Sequence, residues 1–328
     1  MYQARRPASS EFTPVRTLDY HVLHWGEPRS DLPPLVLMHG WMDVAASYQF
    51  VVDAFSPDFL RGRRIIAADW RGFGLTGLAG AGPRPGDLAS APGAMPGGGA
   101  TYPGHDNYWF PDYLADLDML LDHYAGGQPV DLVGHSMGGN VVMLYAGVRP
   151  QRIRRLVNLE GFGMPATTPD KAPRRYAQWL DELKSLHRGE LALKSYADAD
   201  GVARRLMKTN PRLPEDKAQW LARHWARPNA QGRWEILGDA AHKIVNAQLY
   251  RVEEVLACFA QISAPVLSVE ASENQMDQWW RGSYTLAEFH ERLKSVSKLQ
   301  QAVIQDAGHM LHHDQPERLA ALIEDFLA

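Results

Sequence analysis

Six short apolar runs, separated by longer stretches of helical periodicity, constrain this chain more than any other feature. They are "PLVLM" (34–38), "RIIAA" (64–68), "PVDLVG" (129–134), "RLVNL" (155–159), "PVLSVE" (265–270) and "QAVIQ" (301–305). Each is bounded by Gly, Pro or charge, as expected of strands covered on both faces. Ahead of them, "VRTLDYHVLHWGE" (15–27) predicts an antiparallel edge pair or hairpin. Between the runs, "FPDYLADLDMLLDHY" (110–124) sets Tyr113, Leu117, Leu120, Leu121 and Tyr124 at helical spacing. "GNVVMLYAGV" (139–148) is apolar nearly all round and reads as a buried helix. "PERLAALIEDFLA" (316–328) opens on a helix-starting proline and carries Leu319, Leu322, Ile323 and Phe326 on one face. Strands alternating with helices imply βαβ units, so the expected class is a mostly parallel, doubly wound α/β sheet.

Two segments interrupt the alternation. Residues 79–104, "AGAGPRPGDLASAPGAMPGGGATYPG", are dominated by Gly, Ala and Pro and are read as a flexible loop, a surface insertion in preference to a mobile flap. Residues 163–250 show no strand run but carry Tyr176, Trp179, Trp220, Trp225, Trp234 and Tyr250 in helical stretches, so a helical excursion over one end of the sheet is expected. The implied organisation is a core in two parts, 1–162 and 251–328, around a helical cap at 163–250. With 328 residues, 45% of them hydrophobic, the chain has enough apolar content for one large core. Lysines and arginines are scattered at a net charge of −4, which excludes an electrostatic footprint for nucleic acid. Cys258 is the only cysteine, so no intrachain disulfide is expected. "MYQARRPASSEFTP" has a basic pair without an apolar region after it, and no stretch of about 18 apolar residues occurs. A cytoplasmic protein without a membrane span, monomeric or homodimeric, is expected.

"VGHSMGG" (133–139) puts Ser136 between an apolar run and an apolar helix, with Gly134 and Gly138 on either side. A serine on a sharp strand-to-helix turn needs small neighbours, and the helix start offers the Met137 N–H to a developing oxyanion. The plain alternative is a serine in a glycine-rich turn. A serine hydroxyl needs a base, and His309 in "DAGHML" follows the last apolar run, on the same sheet edge as Ser136. His312, His313 and Asp314 suggest either a metal set or, in preference, a solvated start to the last helix. His135 is expected to pack rather than act as a base. In "LMHGWMD" (37–43), Gly40 lets the backbone turn so that the Trp41 N–H supplies a second oxyanion donor, and the Trp41 ring reads equally as a pocket wall. His39 is read as bracing this loop and Asp43 as a turn cap. Asp69 and Arg71 are read as an ion pair beneath the site, and Gly72 and Gly74 as turn residues. No GxxxxGK[ST] or helix-opening GxGxxG motif occurs, so nucleotide binding has no support.

"HGW", "DWRGFGLT" (69–76), "GHSMGG" and "GHM" resemble, in order and spacing, the α/β-hydrolase superfamily from about residue 15 to 328, apart from 79–104 and the cap. "HGWMDVAASY" is similar to the serine hydrolase-like branch near the lipases and esterases. Haloalkane dehalogenases and epoxide hydrolases share the framework but use an aspartate nucleophile, and Ser136 argues against both. The resemblance also implies a carboxylate orienting His309. In many members it follows the strand written here "PVLSVEASEN", where Asn274 takes the acid position and Ala271 that of the usual glycine. Other members resemble this chain in placing a glutamate one strand earlier, which points to Glu160 in "RLVNLEGFGMP", with Glu270, Glu273 and Asp277 as alternatives. The implied activity is hydrolysis of a small apolar or aromatic ester through an acyl-enzyme, with no cofactor and no metal. Thioesters, lactones, C–C bonds and perhydrolysis use the same groups, and a ligand-binding receptor with a slow triad is the reading from another class. The cap aromatics with Met164, Met207 and Met276 either line an apolar pocket or hold the cap helices together.

Overall fold

The computed structural model describes residues 2–26, 32–78, 102 and 105–328, so the 79–104 loop lies, apart from Tyr102, outside the described residues. Two antiparallel strands, β1 (Ser9–Val15) and β2 (Leu18–Trp25), open the chain. They turn at Arg16, whose φ is 54°. The expected hairpin therefore begins earlier than residue 15. The β1 side chains alternate between exposed and half-buried along most of its length, which left it without an apolar signature.

The chain continues through β3 (Leu35–Met38), α1 (Gln49–Ala54), α2 (Pro57–Leu60), β4 (Ile65–Ala68), α3 (Phe110–Ala125), β5 (Val130–His135), α4 (Met137–Val148) and β6 (Ile153–Leu159). An excursion follows, made of α5 (Ala172–His187), β7 (Ser195–Tyr196), α6 (Ala199–Thr209), α7 (Glu215–Trp225), β8 (Ala226–Pro228) and β9 (Trp234–Ile236). The chain then returns through α8 (Val252–Phe259), β10 (Val266–Ala271), α9 (Met276–Trp280), α10 (Leu286–Leu293), β11 (Leu299–Ile304), α11 (Leu311–Asp314) and α12 (Pro316–Leu327).

Eight strands form one sheet in the order β1-β2-β4-β3-β5-β6-β10-β11, parallel from β4 to β11. All six apolar runs are strands of it, within two residues at each end. Successive residues of each inner strand serve opposite layers. On β3, Leu35 and Leu37 join a core with Val51 of α1 and Ile323 of α12, while Val36 and Met38 join one with Leu117 of α3 and Val142 of α4. This two-sided burial explains runs that are apolar without alternation. Strand order reverses between β3 and β5, since the chain passes from β3 to β4 on one side and returns to β5 on the other. A crevice at the carboxyl ends of strands is expected at such a switch point.

The excursion differs from its purely helical expectation: β7, β9 and β8 pair antiparallel in a small sheet of their own. Strands of two or three residues are too short to show a period. Trp225 is buried, and Trp220 packs edge-on against Tyr2 (5.4 Å) and tilted against Phe50 (5.7 Å), so these two tryptophans anchor the excursion to the core. Met276 is a core residue and Met207 packs against the core, whereas Met164 and Tyr176 stay exposed. Residues 237–242 dock on the loop after β4. The Gly74 N–H donates to the Leu237 carbonyl (3.0 Å) and the Asp239 N–H to that of Gly72 (2.9 Å). His242 is stacked between Phe73 (3.8 Å) and Tyr108 (3.7 Å), and burial pushes its pKa down to about 3, so the ring is neutral. Among the described residues, no helix is long and apolar enough to cross a membrane.

Candidate active site

The two strands flanking the switch point bring "HGW" and "GHS" together. Ser136 follows β5 directly, with φ 53° and ψ −115°, a conformation costing about 1–3 kcal/mol for a residue bearing a Cβ. Its N–H donates to the Leu159 carbonyl at 2.8 Å. The glycines around it answer to close approaches. A Cβ on Gly138 would meet the Met38 and His39 carbonyl oxygens at 2.3 and 2.5 Å, and one on Gly134 would meet the Gly138 carbonyl oxygen at 2.4 Å. Gly40 lies against the elbow too, since a Cβ there would sit 3.1 Å from the Ser136 Cβ. Met137 is the first residue of α4, so its N–H has no helical acceptor a turn earlier.

The loop after β3 is held by His39, whose Nδ1–H donates to the Gly40 carbonyl (2.7 Å) while Nε2 accepts the Trp70 N–H (2.8 Å). Burial lowers its pKa, in keeping with that neutral tautomer. The Trp41 side chain is 53% exposed.

Glu160 follows β6 as Ser136 follows β5, again with positive φ (55°). Its N–H donates to Val269, and the Asn158 side chain closes the turn on both the N–H and the carbonyl of Gly161. The carboxylate is fully buried. Its Oε1 accepts the Ala271 N–H at 2.7 Å, and Oε2 lies 3.2 Å from His309 Nδ1. Burial raises the Glu160 pKa above the usual carboxylate range, with His309 and the Ala271 N–H opposing and Glu270 reinforcing. An acceptor at Nδ1 makes that nitrogen the protonated one and leaves the lone pair on Nε2.

His309 stands on the loop after β11 as expected. Its carbonyl accepts a hydrogen bond from His135 Nε2 at 2.8 Å, and its ring lies 4.8 Å from that of His135 and 4.6 Å, edge to face, from Trp279. His135 is fully buried and its pKa is driven far down, first by burial and then by His312 and His309. It packs and braces, as the sequence implied. The alternative acids are engaged elsewhere: Glu270 with His290 Nε2 (2.7 Å), Glu273 with Arg212, and Asp277 exposed at the start of α9. Asn274 accepts from the Met276 N–H at 3.3 Å, closing a turn.

Two expectations are corrected. Asp69 and Arg71 are not paired with each other. Asp69 accepts from Ala45 N–H, Leu75 N–H and His21, while Arg71 forms a two-pronged pair with the buried Asp116 of α3 (2.5 and 2.7 Å). Sequence spacing had no means of bringing in residue 116. His312 and His313 are likewise buried, not solvated. Their rings pack on Tyr48 (5.4 Å) and Phe50 (5.5 Å), because α11 turns inward before α12 starts. Asp314 accepts from the Gly308 N–H (2.8 Å) and from Asn210 (2.7 Å). Asp43 does cap its turn, accepting from Val44 N–H (2.9 Å), and also receives Ser47 and the Trp225 indole N–H (3.1 Å). Trp279 was missed altogether, since nothing in "QMDQWWRG" separates a surface indole from one against a histidine. Among the described residues, Asp43, His135 and His312 form a group able to hold a metal.

Comparison with known proteins bears on the fold as a whole. The family model described as "alpha/beta hydrolase fold" matches residues 33–316. The "Serine hydrolase-like protein" of Danio rerio is 23% identical over 327 residues, covering 98% of this chain and 89% of that protein. The "2-hydroxymuconate semialdehyde hydrolase" of Pseudomonas sp. (strain CF600) is 25% identical over 300 residues, covering 90% of this chain and 87% of that one. Among solved structures, the thioesterase domain from the curacin biosynthetic pathway superposes with a TM-score of 0.74 at 21% identity, over 97% of this chain and 99% of that domain.

Proposed function

The chain belongs to the α/β-hydrolase fold family, and from that premise we propose that it is a serine hydrolase cleaving small carboxylic esters through an acyl-enzyme. The observation that carries the reading is the buried Glu160 carboxylate 3.2 Å from His309 Nδ1, on the strand end beside the Ser136 elbow. In the proposed reaction His309 Nε2 removes the Ser136 proton as Oγ attacks the carbonyl carbon. The Met137 and Trp41 N–H groups receive the oxyanion, one such donor contributing roughly 3–4 kcal/mol. His309, holding the proton, gives it to the departing alkoxide; water then attacks the acyl-enzyme with His309 again as base, and the acid leaves. Glu160 keeps the Nδ1 proton in place and stabilises the imidazolium formed between the steps. The exposed Trp41 and Trp279 indoles support an apolar or aromatic acyl group.

The test is labelling by a fluorophosphonate together with turnover of p-nitrophenyl esters. Wild-type protein is expected to label and turn over, and Ser136→Ala to do neither. Labelling that survives in Ser136→Ala would sink the proposal. A second reading, hydrolysis of a semialdehyde of the kind for which the Pseudomonas relative is named, rests on the 25% identity to that protein. Preferential turnover of 2-hydroxymuconate semialdehyde over every ester would select it.

A further inference from the structure

We propose that Asp43, His135 and His312 form a buried site for one transition-metal ion of the zinc class. Asp43 lies on the loop that carries Trp41, His135 ends β5 just before Ser136, and His312 stands in α11 three residues after His309. One ligand-type atom of each lies within 4.8 Å of the other two, and all three residues are at most 3% exposed. Asp43 Oδ2, His135 Nδ1 and both His312 nitrogens have no hydrogen-bond partner among the described residues. Buried polar atoms left unpaired cost about 1–3 kcal/mol each, so several converging on one point call for a shared partner.

On Asp43 and His135 the remaining polar atom is held as it is around a metal ligand, whereas the second ring nitrogen of His312 has no hydrogen-bond partner among the described residues. Asp43 Oδ1 takes donors from Val44 N–H, Ser47 and Trp225, which turns Oδ2 inward. His135 donates Nε2–H to the His309 carbonyl, which leaves the Nδ1 lone pair free. A ligating imidazole whose other N–H meets a backbone carbonyl is the usual outer-shell arrangement. Two imidazole nitrogens and one carboxylate oxygen suit Zn²⁺, Co²⁺, Ni²⁺ or Cu²⁺ rather than Mg²⁺ or Ca²⁺. Bonds of about 2.0–2.1 Å in a tetrahedron put ligand atoms about 3.3–3.4 Å apart. Asp43 Oδ2 and His312 Nε2, now 3.8 Å apart, therefore close by about half an ångström. No substrate reaches so enclosed an ion, so its role is to cross-link the Trp41 loop, the end of β5 and α11, and not to hydrolyse. The site is independent of whether Ser136 is a nucleophile.

The experiment refolds the full chain with Zn²⁺ or Co²⁺, removes loose metal by gel filtration, and measures bound metal and the visible spectrum. The expected result is one equivalent of metal, a tetrahedral Co²⁺ band in the visible, and a melting temperature several degrees above that of chelator-treated protein. Asp43→Asn and His312→Gln are expected to bind less than a tenth of an equivalent, and Glu160→Gln to bind as wild type does. Wild-type protein without stoichiometric metal and without the Co²⁺ band overturns the proposal, an ordered water or a direct Asp43–His312 pair then filling the space; this outcome requires no variant to fold. Binding that persists undiminished in folded Asp43→Asn and His312→Gln also overturns it, as an adventitious ion only.

Discussion

Replacing Glu160 by glutamine separates its proposed chemical role from any structural one. The Ala271 N–H, 2.7 Å from Oε1, demands an acceptor, so the glutamine oxygen takes that place and its NH₂ turns toward His309 Nδ1, where Oε2 stood at 3.2 Å. Two N–H donors cannot face each other, so the imidazole proton moves to Nε2 and the lone pair to Nδ1. In that tautomer His309 has nothing with which to take the serine proton. An error of this kind costs about 10⁴ in kcat, roughly 5.5 kcal/mol of barrier. Stability moves the other way. Burial raises the Glu160 pKa, so the folded chain holds that proton more tightly than the unfolded one. The wild type therefore loses stability as pH rises from the ordinary carboxylate range through the raised value, by about 1.4 kcal/mol for each unit between the two. Glutamine carries no such penalty. Steady-state hydrolysis of p-nitrophenyl esters at pH 7 to 8, with thermal melts from pH 4 to 8, reads both effects. The expected outcome is a kcat near 10⁻⁴ of wild type, with a melting temperature at or above that of wild type at pH 7 and the gap closing on acidification. Activity of the wild type should fall as pH drops and Glu160 gains its proton. A kcat within tenfold of wild type would refute Glu160 as the orienting acid, and a melting temperature several degrees lower would show that its carboxylate stabilises the fold.

Gly138→Ala places a Cβ 2.3 Å from the Met38 carbonyl oxygen, a backbone atom at the end of β3 that cannot rotate away. A loss of about 1–3 kcal/mol in urea unfolding and of most esterase activity is expected, since the loop leading to Trp41 is displaced; wild-type values for both would contradict it. Asp116→Asn removes the charge opposite Arg71 Nε (2.5 Å) in a fully buried pair, and should cost about 3–5 kcal/mol in the same assay. A cost below about 1 kcal/mol would mean that the guanidinium finds water there. Trp279→Ala strips the indole 4.6 Å from the His309 ring. An aromatic contact of about 0.5–1.5 kcal/mol converts to a twofold to tenfold rise in KM for aromatic esters, with acetyl esters little changed. Equal effects on the two substrate classes would argue against a pocket-wall role.

What the sequence made legible follows the range over which each signal acts. The six inner strands were readable because both faces of each meet a core, which forces apolar side chains whatever the neighbours. Strand β1 was legible only in part, because its exposed side chains record no such demand. The place of Ser136 and Gly138 on a strand-to-helix turn was readable because turns and close approaches act over a few residues, whereas Glu160 was pointed to by the family resemblance. Arg71 was mispaired because its partner Asp116 is 45 positions away and arrives only through the packing of α3 on the sheet. His312 and His313 were misplaced because histidine is ambivalent toward burial. Which way α11 turns is decided by Tyr48, Phe50 and Asp43, residues far back in the chain.

The proposed place of the acid at Glu160 and the presence of Trp279 beside His309 have one structural origin. β6 and β10 are neighbours in the sheet, with Leu159 opposite Val269, so the chain after each strand reaches the same region beside His309. Only one of the two has to supply a carboxylate. With Glu160 as the proposed acid after β6, β10 contributes a backbone donor instead, the Ala271 N–H that fixes Oε1 and leaves Oε2 for the histidine. The residues after Ala271 are then free of the acid's geometric demands. Asn274 closes a turn onto Met276, α9 forms, and Trp279 comes to rest edge to face against His309. On this argument, moving a carboxylate back to position 274 does not rescue Glu160→Gln. An aspartate there would stand at the head of a helix that presents an indole, not a carboxylate, to the imidazole. The double variant Glu160→Gln, Asn274→Asp is expected to stay within threefold of the single variant in kcat, and recovery of a hundredfold or more would show that the two strand ends are interchangeable after all.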